Sequence, residues 1–336
     1  MATIKDVARL AGVGLGTASR VVSGRGSVAP KTVERVRKAI AELDFRPSHA
    51  ARSLLSGSSQ MIGVYVPVLK GTFYMPILQT IDTELRAAGL HMVLAFGVGV
   101  GDARAQSIEG IEFLTERGCD GLIVMSNSLR EDDLVALGPK QSRLVVLNDV
   151  YTSIADQCFC PDHVQGGALA ARALLERNHR RIAVIAGPSN APDNVERING
   201  FIDELGRAGI DQAGVWITES DFSPAGGWSA AEKLLASKHP FTALFCANDE
   251  MALGALSYFQ QAGLAVPGDV SVIGYDDTPA AEFSAPRLTS VNTASRELTR
   301  NAVHELLNRC YGAALPVERV FPLGVTQRAS LGPARA

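Results

Sequence analysis

The sequence predicts a small all-α head followed by a larger α/β body built from two doubly wound parallel sheets, and three observations lead there. The first sixty residues carry dense helix signals around a glycine turn. From Met61 onward, strand-length apolar runs alternate with amphipathic helical segments, the pattern of parallel strands with helices on both faces. Finally, 336 residues allow two or three domains at roughly 100–200 residues each, and 46% hydrophobic, 20% charged composition with mean hydropathy +0.11 describes an ordinary globular chain.

Charge separates the two parts. Residues 1–60 hold ten Lys/Arg against four Asp/Glu, a charge of +6, and the remainder holds 22 against 31, or −9. A basic module on an acidic body suits a polyanionic partner at one end. Apolar runs such as 62–69 fall far short of the ~18 residues of a membrane span. The opening Met1 to Asp6 lacks the apolar core of a secretory signal, so a cytoplasmic location is expected. Five cysteines (119, 158, 160, 246, 310) form no CxxC or Cys/His spacing, which suits reduced thiols and gives no expectation of a metal.

In the head, Thr3 caps a predicted helix with Ile4, Val7, Ala8, Leu10 and Ala11 inward, and Gly12 stops it. Leu15, Ala18, Val21 and Val22 form the stripe of a second helix. Two short helices about such a turn make a helix-turn-helix, whose second helix enters the DNA major groove. A third begins at Ala29-Pro30, with Val33, Val36, Ile40, Ala41 and Leu43 inward and basic residues outward.

In the body the predicted strands are 62–67, 91–96, 121–125, 144–147, 181–185, 215–218, 243–246 and 271–274, with tail strands at 288–293, 318–322 and 323–325. Helices are predicted at 76–88 and 225–237. A ligand cleft would lie beyond the strand C-termini. The run Gly97-Val98-Gly99-Val100-Gly101 invites a dinucleotide reading, but the third glycine of GxGxxG falls at Asp102, so a plain crossover loop is favoured. No Walker A, HExxH or GxSxG occurs, and the six histidines do not cluster with a nucleophile, so no catalytic residue and no cofactor are expected.

The run TIKDVARLAGVGLGTASRVVSGRGSVAPKTVERVRKAIAELDFRPSHAARSLLSG strongly resembles the DNA-binding head of the LacI/GalR family. The resemblance makes residues 15–23 the recognition helix, with Leu15, Gly16 and Arg20 at base-reading positions and Thr17 and Ser19 on phosphate. The chemistry agrees: Arg bridges guanine O6 and N7, hydroxyls orient on phosphate, and Leu15 suits a thymine methyl. Residues 47–57 resemble the family's hinge helix, with Leu54 as the minor-groove wedge. Gly14 and Gly16 depart from the family's usual Ser and larger side chain, and Gly16 costs about 1 kcal/mol against Ala in a helix.

The body resembles the same family in KGTFYMPILQTIDTELRAAG, LNDV, ARALLERNHRRIAVIAG, NVERINGF, DFSPAGGWSAAEKLL, ALFCANDEMALGAL and PGDVSVIGYDD. That implies the periplasmic-binding-protein type I fold around a small polar ligand. The domains are then 1–46 (head), 47–60 (hinge and linker) and 61–336 (body). Within the body, lobe one is about 61–161 with 292–321, and lobe two about 162–291 with 322–336. Carried over by position, the pocket residues are Phe73, Tyr74, Asp149, Arg197, Phe222, Asn248 and Asp276. Bland roles compete: the aromatics as core, Asn248 and Asp249 as helix caps, Arg197 paired with Asp193 or Glu196, and one of Asp276 and Asp277 as a turn residue. Met125-Ser126-Asn127 and Thr293-Ala294 depart from sugar-binding relatives. The resemblance implies a homodimeric repressor on double-stranded operator DNA with a small effector, a sugar before a purine, and no membrane partner. An enzyme of small sugars with a basic tail and an architectural DNA binder are the competing classes.

Overall fold

The computed structural model describes residues 2–23, 26–45, 58–211, 214–237 and 239–335. It divides into two compact units, Met1–Met61 with Arg117–Asp120, and Ile62–Glu116 with Gly121–Ala336. The proposed hinge helix, Leu54 included, lies outside the described residues.

In the first unit, α1 (Ile4–Leu10), α2 (Leu15–Ser23) and α3 (Pro30–Glu42) pack on one another. Thr3 and Asp6 form a capping box at α1: the Thr3 hydroxyl accepts from Asp6 N–H while the Asp6 carboxylate accepts from Thr3 N–H. Gly12 takes φ +63°, the left-handed turn needed after α1, and the Gly14 carbonyl starts the hydrogen bonding of α2. Val7, Ala11, Val36, Ala39 and Phe45 make the core, with Val21, Val22, Ile40 and Leu43 against it. Two sequence expectations fail here. Leu10 and Ala41 face solvent, because the buried stripe of each short helix is narrower than its apolar content.

The second unit holds both sheets. β1 (Met61–Val66), β2 (His91–Phe96), β3 (Gly121–Val124), β4 (Leu144–Leu147) and β5 (Cys158–Phe159) form a sheet of order β2-β1-β3-β4-β5. The other sheet has order β11-β10-β9-β8-β6-β7. It comprises β6 (Ile182–Ala186), β7 (Trp216–Glu219), β8 (Ala243–Cys246), β9 (Ser271–Asp276), β10 (Thr289–Asn292) and β11 (Gly324–Thr326), of which only β11 is antiparallel to its neighbour. Near-continuous burial of β1, β3, β4, β6, β8 and β9 is the mark of strands covered on both faces.

Helices α4 (Tyr74–Ala87), α5 (Ala103–Glu116) and α6 (Glu131–Val135) follow strands of the first sheet. α7 (His163–Leu175), α8 (Pro192–Arg207), α9 (Pro224–Ala236), α10 (Asp249–Gln261) and α11 (Pro279–Phe283) belong to the second. The chain crosses back once more: α12 (Ser295–Tyr311) sits between β10 and β11 in sequence but packs Leu298, Ala302, Val303, Leu306 and Leu307 on the first sheet.

Glycine sets two of these helix pairs. A Cβ on Gly167 would stand 1.9 Å from the Arg197 carbonyl oxygen, and one on Gly200 2.0 Å from that of Val164, so α7 and α8 meet backbone to backbone. Gly227 and Gly254 do the same for α9 and α10.

The predicted strand at 318–322 is absent. Side chains of α12 strap the chain instead, Asn301 accepting from Glu318 N–H and Asn308 from Leu315 N–H. β5 is a two-residue strand that the sequence reading passed over. The glycine run after β2 is a crossover loop whose Val98 N–H and Val100 carbonyl are both taken by Gln106, at 2.8 and 2.5 Å.

Candidate functional site

α2 presents a polar, accessible face. Only Ala18 of this helix is fully buried; Leu15 is 47% exposed at its first turn, and Gly16 and Arg20 are exposed beside it. A core role for Leu15 is therefore excluded. Thr17 and Ser19 are half-buried on the flanks. The Arg20 Nε–H donates to the Gly16 carbonyl at 3.2 Å, which holds the side chain along the helix. Lys31, Arg35, Arg37 and Lys38 point outward from α3. Cations and hydroxyls on an exposed short helix after a tight turn form a surface that a phosphate backbone and base edges can meet.

In the second unit the residues expected to line the pocket follow the C-terminal ends of parallel strands of both sheets. Phe73 and Tyr74 come after β1, Asp149 after β4, Arg197 on the helix after β6, Phe222 after β7, Asn248 after β8, and Asp276 ends β9. That placement is the general rule for ligand sites in open α/β sheets.

Arg197 is the hub. It is 3% exposed, its Nη1 donates to the Ala247 carbonyl, its Nη2 reaches Asp193 at 3.4 Å, and its guanidinium lies 3.8 Å from the centroid of the Tyr275 ring. The expected alternative of pairing with Asp193 is present, yet at that distance it is a loose pair. Asp276 takes φ +100° and its carboxylate has no hydrogen-bond partner among the described residues. Burial pushes that carboxyl well above the usual range, with Arg197 opposing the shift. Its neighbour Asp277 is tied into the structure: its Oδ2 accepts from Asn292 and Thr326, its Oδ1 pairs with Arg328 at 2.7 Å, and its N–H donates to Ser290. Hydrogen bonding thus separates the two aspartates, Asp277 held by its neighbours and Asp276 not.

Phe73 and Tyr74 meet edge to face at 5.1 Å, both half-buried, and burial raises the Tyr74 hydroxyl pKa. Phe222 adopts φ +63° and lays its ring over Gly187, where a Cβ would come within 2.2 Å. Asp149 accepts from the Tyr151 hydroxyl at 2.9 Å and from Val150 N–H at 2.8 Å; burial nonetheless holds its carboxyl above the ordinary value. Asn248 performs the capping role foreseen for it. Its Oδ1 accepts from Met251 N–H at 2.9 Å and its Nδ2 donates to the Phe222 carbonyl at 3.0 Å, so it ties α10 to the loop that carries Phe222. Asp249 is not a cap. Fully buried, it accepts from Thr278 N–H and hydroxyl and from Ser290, and desolvation pushes its carboxyl up to about 7.

Two members of this cluster, His163 and Tyr275, escaped the sequence reading, and Asp193 entered it only as a surface partner for Arg197. His163 follows a helix-capping Asp162 and Tyr275 sits in a buried strand, both positions that read as structure. Departures from sugar-binding relatives prove structural where they can be followed. Ser126 bonds the Ser107 hydroxyl at 2.8 Å, and Ala294 supplies a left-handed turn at φ +51° before α12. Among the described residues no group of three or more His, Cys, Asp or Glu could hold a metal ion, and no helix is long and apolar enough to cross a membrane.

Residues 3–48 match the family model of bacterial regulatory proteins of the lacI family, and residues 171–331 match the periplasmic binding protein-like domain. The chain is 35% identical over 310 residues to the HTH-type transcriptional repressor PurR of Haemophilus influenzae, covering 92% of this chain and 91% of that one. The chain belongs to the LacI family of bacterial regulatory proteins. A LacI-family regulator from Burkholderia phymatum is 50% identical, with TM-score 0.78 over 81% of this chain and 99% of that one. The lac repressor dimer bound to operator and the anti-inducer ONPF is 29% identical, with TM-score 0.83 over 98% of both chains. The regulator CelR in complex with cellobiose is 32% identical, with TM-score 0.68 over 98% of this chain and all of that one. As a LacI-family member, the chain is a DNA-binding transcriptional regulator with a helix-turn-helix head and a two-lobed α/β body.

Proposed function

We propose that this LacI-family chain is a repressor that binds a pseudo-palindromic operator as a homodimer and is released by a small, sugar-like effector. The observation that carries the reading is the grouping of Arg197, Asp276, Asp149 and the aromatics Phe73, Tyr74 and Phe222 beyond the strand ends of both sheets. Aromatic faces cover the apolar side of a sugar ring while the charged groups fix its hydroxyls. The cellobiose complex of CelR and the operator-bound dimer of the lac repressor support it.

On DNA, a two-fold dimer meets a two-fold site, with Leu15, Gly16 and Arg20 reading bases, Thr17 and Ser19 positioning on phosphate, and Leu54 entering the minor groove. Effector binding controls release only by discriminating between two states of the body, typically by about 1–3 kcal/mol per site. In a second reading a flat metabolite such as a purine strengthens operator binding instead. The edge-to-face Phe73–Tyr74 pair offers a stacking wall for it, and similarity to PurR favours it.

The test is selection of DNA from a randomised duplex pool by the purified protein at near-physiological salt, repeated with mono- and disaccharides and purines. A pseudo-palindromic consensus lost on adding a sugar is the expected outcome. A consensus gained with a purine reverses the sign, and no consensus at all overturns the regulator's operator reading.

A further inference from the structure

His163 opens α7, where the chain passes from the first sheet to the second, and is 1% exposed. Its Nδ1 lies 3.0 Å from the Tyr275 hydroxyl and 3.3 Å from Arg197 Nη2. A guanidinium has donors and no lone pair to offer, so Nδ1 accepts and the ring proton sits on Nε2. Burial and the Arg197 charge both hold the ring well below its ordinary pKa, which keeps it in this neutral tautomer.

The Nε2–H is thus a fixed, buried donor, and it has no partner among the described residues. Two more polar atoms of the same cluster share that condition, Arg197 Nε and Asp193 Oδ1. Native interiors rarely leave such groups unmade. Two donors beside one acceptor match a hydroxyl-bearing molecule, in which one oxygen accepts and a hydroxyl proton is given to Asp193.

We propose that His163 is a specificity-determining residue of the effector site, its Nε2–H donating to a ligand oxygen while Asp193 accepts from a ligand hydroxyl. The inference rests on the sugar reading above. It adds a selection: a neutral polyol satisfies both sides of the cluster, whereas a carboxylate or phosphate brings acceptors only. A carboxylate or phosphate group placed here would leave Asp193 Oδ1 unpaired and would meet the acidic side chains of Asp149, Glu196 and Glu250, which act electrostatically on one another or on Tyr74 at this site.

The experiment is calorimetric titration of the full chain and its His163→Phe and His163→Gln variants with ribose, galactose, cellobiose, galacturonate and ribose 5-phosphate. Thermal melting of each unliganded protein controls for folding. For whichever neutral sugar binds the wild type, His163→Phe loses at least tenfold in affinity and His163→Gln, whose amide still donates, recovers part of it. Affinity of His163→Phe within twofold of wild type overturns the assignment, and an anion that outbinds its neutral parent overturns the selection. Ring ¹H–¹⁵N spectra of the wild type decide independently of any variant: the Nε2–H resonance of His163 moves when the sugar saturates, and an unmoved resonance overturns the contact. If no sugar binds the wild type, the sugar reading itself falls and the inference with it.

Discussion

The head and the body carry their candidate residues in opposite physical settings. On α2 the residues proposed to meet DNA stand in solvent: Leu15, Gly16 and Arg20 are exposed, and the small core of Val7, Ala11, Val36, Ala39 and Phe45 does not include them. In the body, Arg197 and His163 are as buried as any core leucine, and Asn248 holds a helix end while it faces the same site. Recognition by the head is therefore separable from folding. The recognition proposed for the body uses buried charged and polar groups, so a change there is expected to act on stability and on ligand response together.

Arg197→Ala is the hardest test of that contrast. It removes the partner of Asp193, the guanidinium over Tyr275 and the donor to the Ala247 carbonyl, and leaves buried carboxyls uncompensated. The expected loss is about 3–5 kcal/mol, read from urea unfolding of the full chain, together with loss of any effector response. A variant that melts like the wild type but ignores effector would show that function and stability are uncoupled in the body after all.

Asp249 gives the comparison a pH axis. Its carboxyl is raised to about 7 from an ordinary value near 3.8, so the native state binds more protons than the unfolded chain between those values. Stability from this group is full below about pH 4 and is lost as pH rises through 7. Asp249→Asn keeps an acceptor for Thr278 and a donor for Ser290, and is expected to flatten that fall. An unchanged slope of stability against pH between 4 and 8 would refute the shift. The exposed face of α2 holds no group of this kind.

Legibility in the sequence follows the same division. The head's elements came from capping and turn chemistry that acts within a few residues, as at Thr3 and Gly12, and the parallel strands from long apolar runs. Leu10 and Ala41 were misplaced because three short helices bury less than their composition suggests. In the body, periodicity found the strands but could not show that α12 returns to the first sheet, or that Asn301 and Asn308 accept from the N–H groups of Glu318 and Leu315 in place of a strand. His163 and Tyr275 were invisible because their meaning lies in a contact 112 residues apart in sequence. No local signal encodes such a pairing.

Arg20→Ala probes the separable side. It is expected to cost about 1–3 kcal/mol in operator binding and to relax preference at one base position, with unfolding unchanged within about 0.5 kcal/mol. Unaltered specificity on a randomised site library would assign Arg20 to phosphate alone.

The smallest expected effect is the most discriminating for the head. Gly16 lies in the first turn of α2 with no positive φ, and a Cβ added there meets nothing within 4 Å. Gly16→Ala therefore removes a helix penalty of up to about 1 kcal/mol at no packing cost, and hydrogen exchange of α2 amides in the full chain should slow by up to roughly fivefold. The same methyl projects from the face proposed to read bases. If the helix stiffens and the operator consensus is unchanged, Gly16 is a silent position flanked by two reading residues. If the helix stiffens and the consensus shifts, the glycine is itself part of the specificity, admitting a base edge that any side chain would push away.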